Sequence, residues 1–172
     1  DDGNDGSQLA PWQTLQHAAN VMQPGDTVIA TPGDLFTGFH MQRSGTPGRP
    51  ITFIGTGAQI NVEGFAGLDG INLENWGAGG GSVAYVVIDG FTINGMNRTG
   101  IRAVGNENDF AHHITIRNCT LDGNGSWGIL SGHVDDMLVE HNICSNSVDE
   151  HGIYLSNSGD RNVARGNTCF GN

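Results

Sequence analysis

The segment Asp149-Glu150-His151-Gly152-Ile153-Tyr154 holds the densest set of chemically active groups in the chain. An imidazole titrates near neutrality and takes a proton, and a phenol three positions on can donate one. Two carboxylates stand beside them. Trp127 adds an aromatic face for stacking, and Arg98 and Arg102 add guanidinium forks suited to a carboxylate. The roles expected are catalytic for His151, Tyr154 and Arg102 and substrate-binding for Trp127, Arg98 and Glu150. Together these groups would neutralise an acid, abstract the neighbouring proton and return one elsewhere.

Calcium is the one cofactor these residues suggest, through Asp149, Asp2 or Asp5. Asp1-Asp2-Gly3-Asn4-Asp5-Gly6 has oxygen donors at tight spacing and glycine for the turn, but lacks the closing bidentate Glu. Zinc is not expected at His112-His113, because no second Cys or His pair stands at ligand spacing. Cys119, Cys144 and Cys169 recur every 25 residues, an odd count that reads as buried thiols rather than a disulfide framework. Their turn alignment puts Cys144 and Cys169 in one row and shifts Cys119 by one. Asp135-Asp136 reads as a solvated corner.

These groups need a scaffold, and the scaffold repeats. Gly90, Asn118 and Asn142 each precede a Gly-Ile pair by ten positions, at Gly100-Ile101, Gly128-Ile129 and Gly152-Ile153. With Asn167 the turn positions are separated by 28, 24 and 25 residues. Between turns, short runs such as Ile114 and Ile116 alternate with period two, the pattern of strands with one face inward. Units of this size stack, because each buries its apolar face only against the next. The expected fold is all-β: a right-handed parallel β-helix of about five coils, as a single domain over 1–172. Asn118, Asn142 and Asn167 are expected to form amide ladders at the corners, since Asn tolerates left-handed backbone.

Pro11 through Met22 departs from this pattern. Apolar residues at 12, 15, 18, 19 and 22 give helical spacing, and Pro24-Gly25-Asp26 ends it. Pro11 through Met22 is therefore expected to form an amphipathic capping helix within an N-terminal cap region 7–24, with coils over 26–172 and an uncapped C-terminal end that invites self-association.

Composition narrows the partners. Seven arginines and no lysine against 18 acidic residues give a net charge of −11, which argues against nucleic acid. No apolar run approaches the roughly 20 residues of a membrane-spanning helix, so membrane insertion is not expected. Glycine at 28 of 172 positions is more than twice the roughly 7% average, in keeping with many turns.

Ser7 through Thr31, with Pro11-Trp12-Gln13-Thr14-Leu15-Gln16 and Pro24-Gly25-Asp26-Thr27-Val28, resembles the opening of the pectate-lyase-like superfamily of right-handed β-helix proteins. Gly45-Thr46-Pro47-Gly48-Arg49-Pro50-Ile51-Thr52-Phe53 is similar to their second coil, and His151-Gly152-Ile153-Tyr154 to a mid-coil segment. The resemblance implies an N-terminal portion of an extracellular or cell-surface protein whose partner is a polysaccharide. It implies a polysaccharide lyase or uronate-modifying enzyme, with His151 and Tyr154 sharing the proton transfers and Arg102 or calcium meeting the carboxylate. The chain departs from that pattern in having no lysine base, and Asp149-Glu150-His151 only echoes an epimerase motif. The alternative is a non-catalytic glycan-binding or structural module that associates through its open end.

Overall fold

The computed structural model describes residues 1–63, 66–75 and 81–172. It is a right-handed parallel β-helix, with three sheets running along the stack. The first sheet joins β1 (Thr27–Ile29), β4 (Ile51–Ile54), β7 (Ala84–Asp89), β10 (Ala111–Arg117), β14 (Leu138–Glu140) and β17 (Val163–Arg165), with β13 (Val134–Asp135) beside β10. The second joins β2 (Leu35–Phe36), β5 (Gln59–Asn61), β8 (Thr92–Asn94), β11 (Thr120–Asp122), β15 (Ile143–Ser145) and β18 (Thr168–Phe170). The third joins β3 (Phe39–Met41), β6 (Ile71–Leu73), β9 (Thr99–Val104), β12 (Trp127–Gly132) and β16 (Ile153–Ser156). Successive coils contribute strands to the three sheets in turn, the fifth giving both β13 and β14 to the first and the last reaching only the first two, and all strand pairings are between coils.

Alternation sets the interior. Phe53, Ile88, Ile116 and Val139 stack in register in the first sheet, Ile60, Ile93, Leu121 and Cys144 in the second, and Ile71, Ile101 and Ile129 in the third, all buried. Each buried Ile or Leu contributes about 1.5–3 kcal/mol relative to exposure, and none does so without the neighbouring coil.

The corners explain the glycine and asparagine. Gly90, Asn118, His141 and Gly166 form one column of left-handed residues, and Gly95, Gly123, Asn146 and Gly171 form another. Asn118 therefore stands at a corner, its Nδ2 donating to Asp89 Oδ1 at 2.8 Å, and is not part of the inner ladder expected for it. Register places Cys119, not Asn118, opposite Asn142, because the loop after β15 is longer than that after β11. Cys144 and Cys169 do share a row, while Cys119 lies two positions away from it. All three thiols are free; Cys119 and Cys144 are buried and Cys169 is exposed.

Inside the corners, asparagine side chains staple successive coils. Asn142 Oδ1 accepts from the Cys119 N–H at 3.0 Å while its Nδ2 donates to the Ile116 carbonyl at 3.0 Å. Asn162, Asn167 and Asn172 repeat this two-point grip on the preceding coil. Backbone groups that the turn leaves unpaired are thereby satisfied, in a buried place at Asn142 and in half-buried or exposed ones toward the last coil.

The first coil is covered by α1 (Leu15–Val21), whose Leu15, Ala18 and Ala19 are buried. Thr14 caps it by accepting from the His17 N–H at 3.0 Å. Asp2 holds Thr14 in turn, accepting from its hydroxyl at 2.7 Å and from the Gln13 and Thr14 N–H groups. Gln16 closes the edge of β3: its amide accepts from the His40 N–H and donates to the His40 carbonyl. An edge strand that would template another chain is thus blocked by a side chain.

Candidate functional site

The outer face of the third sheet carries a row with one residue per coil: His40, Asn72, Arg102, Leu130 and Tyr154. Arg102 and Tyr154 are two coils apart with Leu130 between, roughly 10 Å by strand spacing. The row follows one local signature, a glycine, an inward apolar residue and an outward residue. It recurs as Gly38-Phe39-His40, Gly70-Ile71-Asn72, Gly100-Ile101-Arg102, Gly128-Ile129-Leu130 and Gly152-Ile153-Tyr154. That signature could have revealed His40 and Asn72, which the repeat from Gly90 onward does not reach.

An aromatic group forms toward the C-terminal coils. Trp127 and Tyr154 lie with ring centroids 6.5 Å apart and planes at 24°, and His151 meets Tyr154 edge-on at 5.1 Å. Tyr154 is 41% exposed and Trp127 is half-buried. The indole Nε1 is buried without a hydrogen-bond partner. Glu150 and Asp149 stand exposed in the loop leading to β16.

A polar group forms around the earlier coils. Asp69, buried, takes Arg98 Nε at 2.9 Å and a terminal nitrogen at 2.5 Å in a bidentate pair. Arg102 pairs with Glu74 and donates to Asn72 Oδ1 at 3.1 Å. His40 Nε2 lies 2.7 Å from the Glu74 carbonyl, which requires the proton on that nitrogen. Burial is the main cause holding the His40 imidazolium below its ordinary range, with the Arg102 cation adding to it. Burial likewise lowers Arg102, against the pull of Asp69. A shallow groove of about 390 Å3 runs on from Arg102 and Leu130 past Ser131, Ser156 and His133, whose Nδ1 is buried and has no partner.

The fold thus brings His151, Tyr154 and Trp127 together; the Arg98 carbonyl accepts from the Trp127 N–H at 3.2 Å while its guanidinium is taken by Asp69, and Arg102 stands two coils from Tyr154 beside Glu74. Asp69 and Glu74 were not singled out from sequence, because nothing local marks a carboxylate whose partner lies a coil away. Among the described residues no three His, Cys, Asp or Glu side chains gather as a metal site. Asp2 is taken up by Thr14 and Gln13, Asp5 accepts from the Ser7 N–H at 2.9 Å, and Asp149 lies in a different part of the stack. Asp136 is not a bare solvated corner: Arg161 grips both its oxygens, at 2.6 and 2.8 Å.

A stack of three parallel sheets with one polar and aromatic outer row defines the class, a right-handed parallel β-helix of the pectate-lyase-like kind. Residues 43–172 match the family model described as periplasmic copper-binding protein (NosD), and the chain belongs to that family. Over 52 residues it is 38% identical to the uncharacterized protein YwoF of Bacillus subtilis (strain 168), covering 30% of this chain and 11% of that protein. Pectate lyase Pel9A superposes with a TM-score of 0.64 at 17% identity over 88% of this chain and 40% of the enzyme. A rhamnogalacturonan lyase superposes with a TM-score of 0.53 at 14% identity over 93% of this chain and 60% of the lyase. The chain spans less than two thirds of the length of each, and at these identities the two structures share the fold. No helix among the described residues is long and apolar enough to cross a membrane.

Copper asks for imidazole nitrogen or sulfur donors. The described residues offer one close nitrogen pair, His112 Nδ1 and His113 Nδ1 at 2.9 Å, on the first sheet and away from the aromatic row.

Proposed function

We propose that the outer face of the third sheet binds an extracellular polysaccharide, with Trp127 and Tyr154 as the stacking platform and the groove beside Leu130 as its continuation. The observation that carries this reading is the pair of rings 6.5 Å apart and 24° from parallel at the third sheet. Sugar rings present apolar C–H faces that such rings hold. Names of structural neighbours support a carbohydrate partner for the fold, and the family name supports a place outside the inner membrane. Glu150, exposed beside His151, is an acceptor for further hydroxyls.

Catalysis is the second reading, favoured by the contact of His151 with Tyr154 at 5.1 Å. One would abstract and the other donate, as lyase chemistry on a uronate requires. Arg102 supports it less, being two coils from Tyr154 and engaged with Glu74. Calcium enters as a bridge between an acidic glycan and this acidic protein. Association of copies through the exposed strands β17 and β18 belongs to the same set of proposals.

The test is binding of the intact chain to neutral and uronate-bearing polysaccharides, measured by calorimetry with calcium and with chelator. Trp127→Ala and Tyr154→Ala should each weaken binding at least about tenfold, the scale of one stacked ring. Unchanged binding by both variants, or none to any polymer, overturns the reading. New ultraviolet-absorbing unsaturated ends from pectate or alginate, lost in His151→Ala, would establish the lyase.

A further inference from the structure

A β-strand sends neighbouring side chains to opposite faces, so His112 and His113 within one strand should point apart. They do not. His113 has φ +54°, a left-handed conformation costly for any residue but glycine and a few polar ones, and the two imidazoles come to lie side by side with Nδ1 to Nδ1 at 2.9 Å. Tyr85, from the coil before, packs on both rings, stacked on His113 at 4.6 Å and edge-on to His112 at 5.2 Å. Asp136, from the coil after, puts Oδ2 at 3.9 Å from His113 Nδ1, and Asp135 lies in register with His112. Arg161 holds Asp136, so the carboxylate is fixed beside the pair.

Two ring nitrogens at this distance either share a proton or share a metal ion. The separation, which is also that of an N–H···N hydrogen bond, matches one bond angle at a shared ion. With metal–nitrogen bonds of about 2.0–2.1 Å, two nitrogens at a right angle stand about 2.9 Å apart, and at the tetrahedral angle about 3.3 Å. Right-angled nitrogen donors are the preference of cupric ion, which also heads the affinity order of the divalent first-row metals. We infer that His112 and His113 form a two-nitrogen copper(II) site at the corner of the first sheet, completed by water and faced by Asp135 and Asp136. The family description names copper but not where this chain would hold it; the backbone turn at His113 and the facing nitrogens supply the place. The site is separate from the aromatic row, and neither depends on the other.

The experiment titrates the intact chain with copper(II), read by calorimetry and by electron paramagnetic resonance. One equivalent with a two-nitrogen hyperfine pattern is expected, with zinc binding at least tenfold more weakly. His113→Asn keeps a residue that accepts the left-handed backbone, and His112→Gln keeps a polar strand residue; each should weaken copper at least tenfold with an unchanged thermal midpoint. Should His112→Gln fail to fold, His113→Asn carries the test alone. Copper held equally by the variants, as at the Asp1 amine or Cys169, overturns the assignment, as does a chain that takes up no copper.

Discussion

Asn167 Oδ1 accepts from both the backbone N–H and the side-chain Nδ2 of Asn142, at 2.9 and 3.0 Å. Asn142, 1% exposed, is therefore bonded to the coil on either side of it. Truncation would strand the Cys119 N–H and the Ile116 carbonyl together. Asn142→Ala is expected to cost about 2–4 kcal/mol in urea unfolding, the range for two buried groups left unmet. Asn118→Gly, at the exposed corner with φ +55°, should change stability by less than about 1 kcal/mol. Equal effects at the two positions would contradict the staple.

Arg98 and Asp69 make a second contrast. The Asp69 side chain is 3% exposed and the Arg98 side chain 37%, so the acid carries most of the desolvation. Arg98→Met should destabilise by about 3–5 kcal/mol, since it leaves a buried charge uncompensated, while the double variant Arg98→Met, Asp69→Leu recovers most of the loss. A double-mutant cycle by chemical denaturation measures the coupling directly.

His40 predicts a pH window. Its folded pKa is depressed from 6.5 by burial first and by the Arg102 cation second. Below 6.5 the unfolded chain gains a proton that the folded chain refuses, so stability declines as pH falls from there toward the folded value. Denaturation midpoints between about pH 8 and about pH 5 should show this decline, and His40→Gln should flatten it. Asp122 and Asp136 act in a lower window: their folded pKa values lie under 3.8, so the stability they add is present above it and lost in stronger acid.

Cys119 predicts the alkaline side. Burial raises its thiol from 9.0 to about 12, and Cys144 shifts in the same direction. Above 9.0 the unfolded thiol ionises while the folded one stays neutral, so stability falls by roughly 1 kcal/mol per pH unit until about 12. At neutral pH a thiol reagent should label exposed Cys169 alone, and all three cysteines after unfolding.

The coil architecture was legible because its signals are local. Period-two alternation at Ile114 and Ile116, the turns at Gly90 and Asn118 and the Gly-Ile pairs each need only their own segment. The capping helix was legible for the same reason, although Gln16 as the plug of the β3 edge was not, since its partner His40 lies across the coil. The row Arg102, Leu130, Tyr154 followed from equal spacing after each Gly-Ile pair. The same spacing misplaced Asn118, because the longer loop after β15 moved the register by one residue.

Residue types and their order thus determined a stack of parallel strands and the outward row that follows the Gly-Ile pairs. Tertiary structure alone decided which side chains meet across coils, Asp69 with Arg98, Glu74 with Arg102 and Trp127 with Tyr154, and that His112 and His113 meet within one strand. Those meetings depend on loop lengths and on the sign of φ at single residues. A strand pattern records the face to which a side chain points but carries no measure of either.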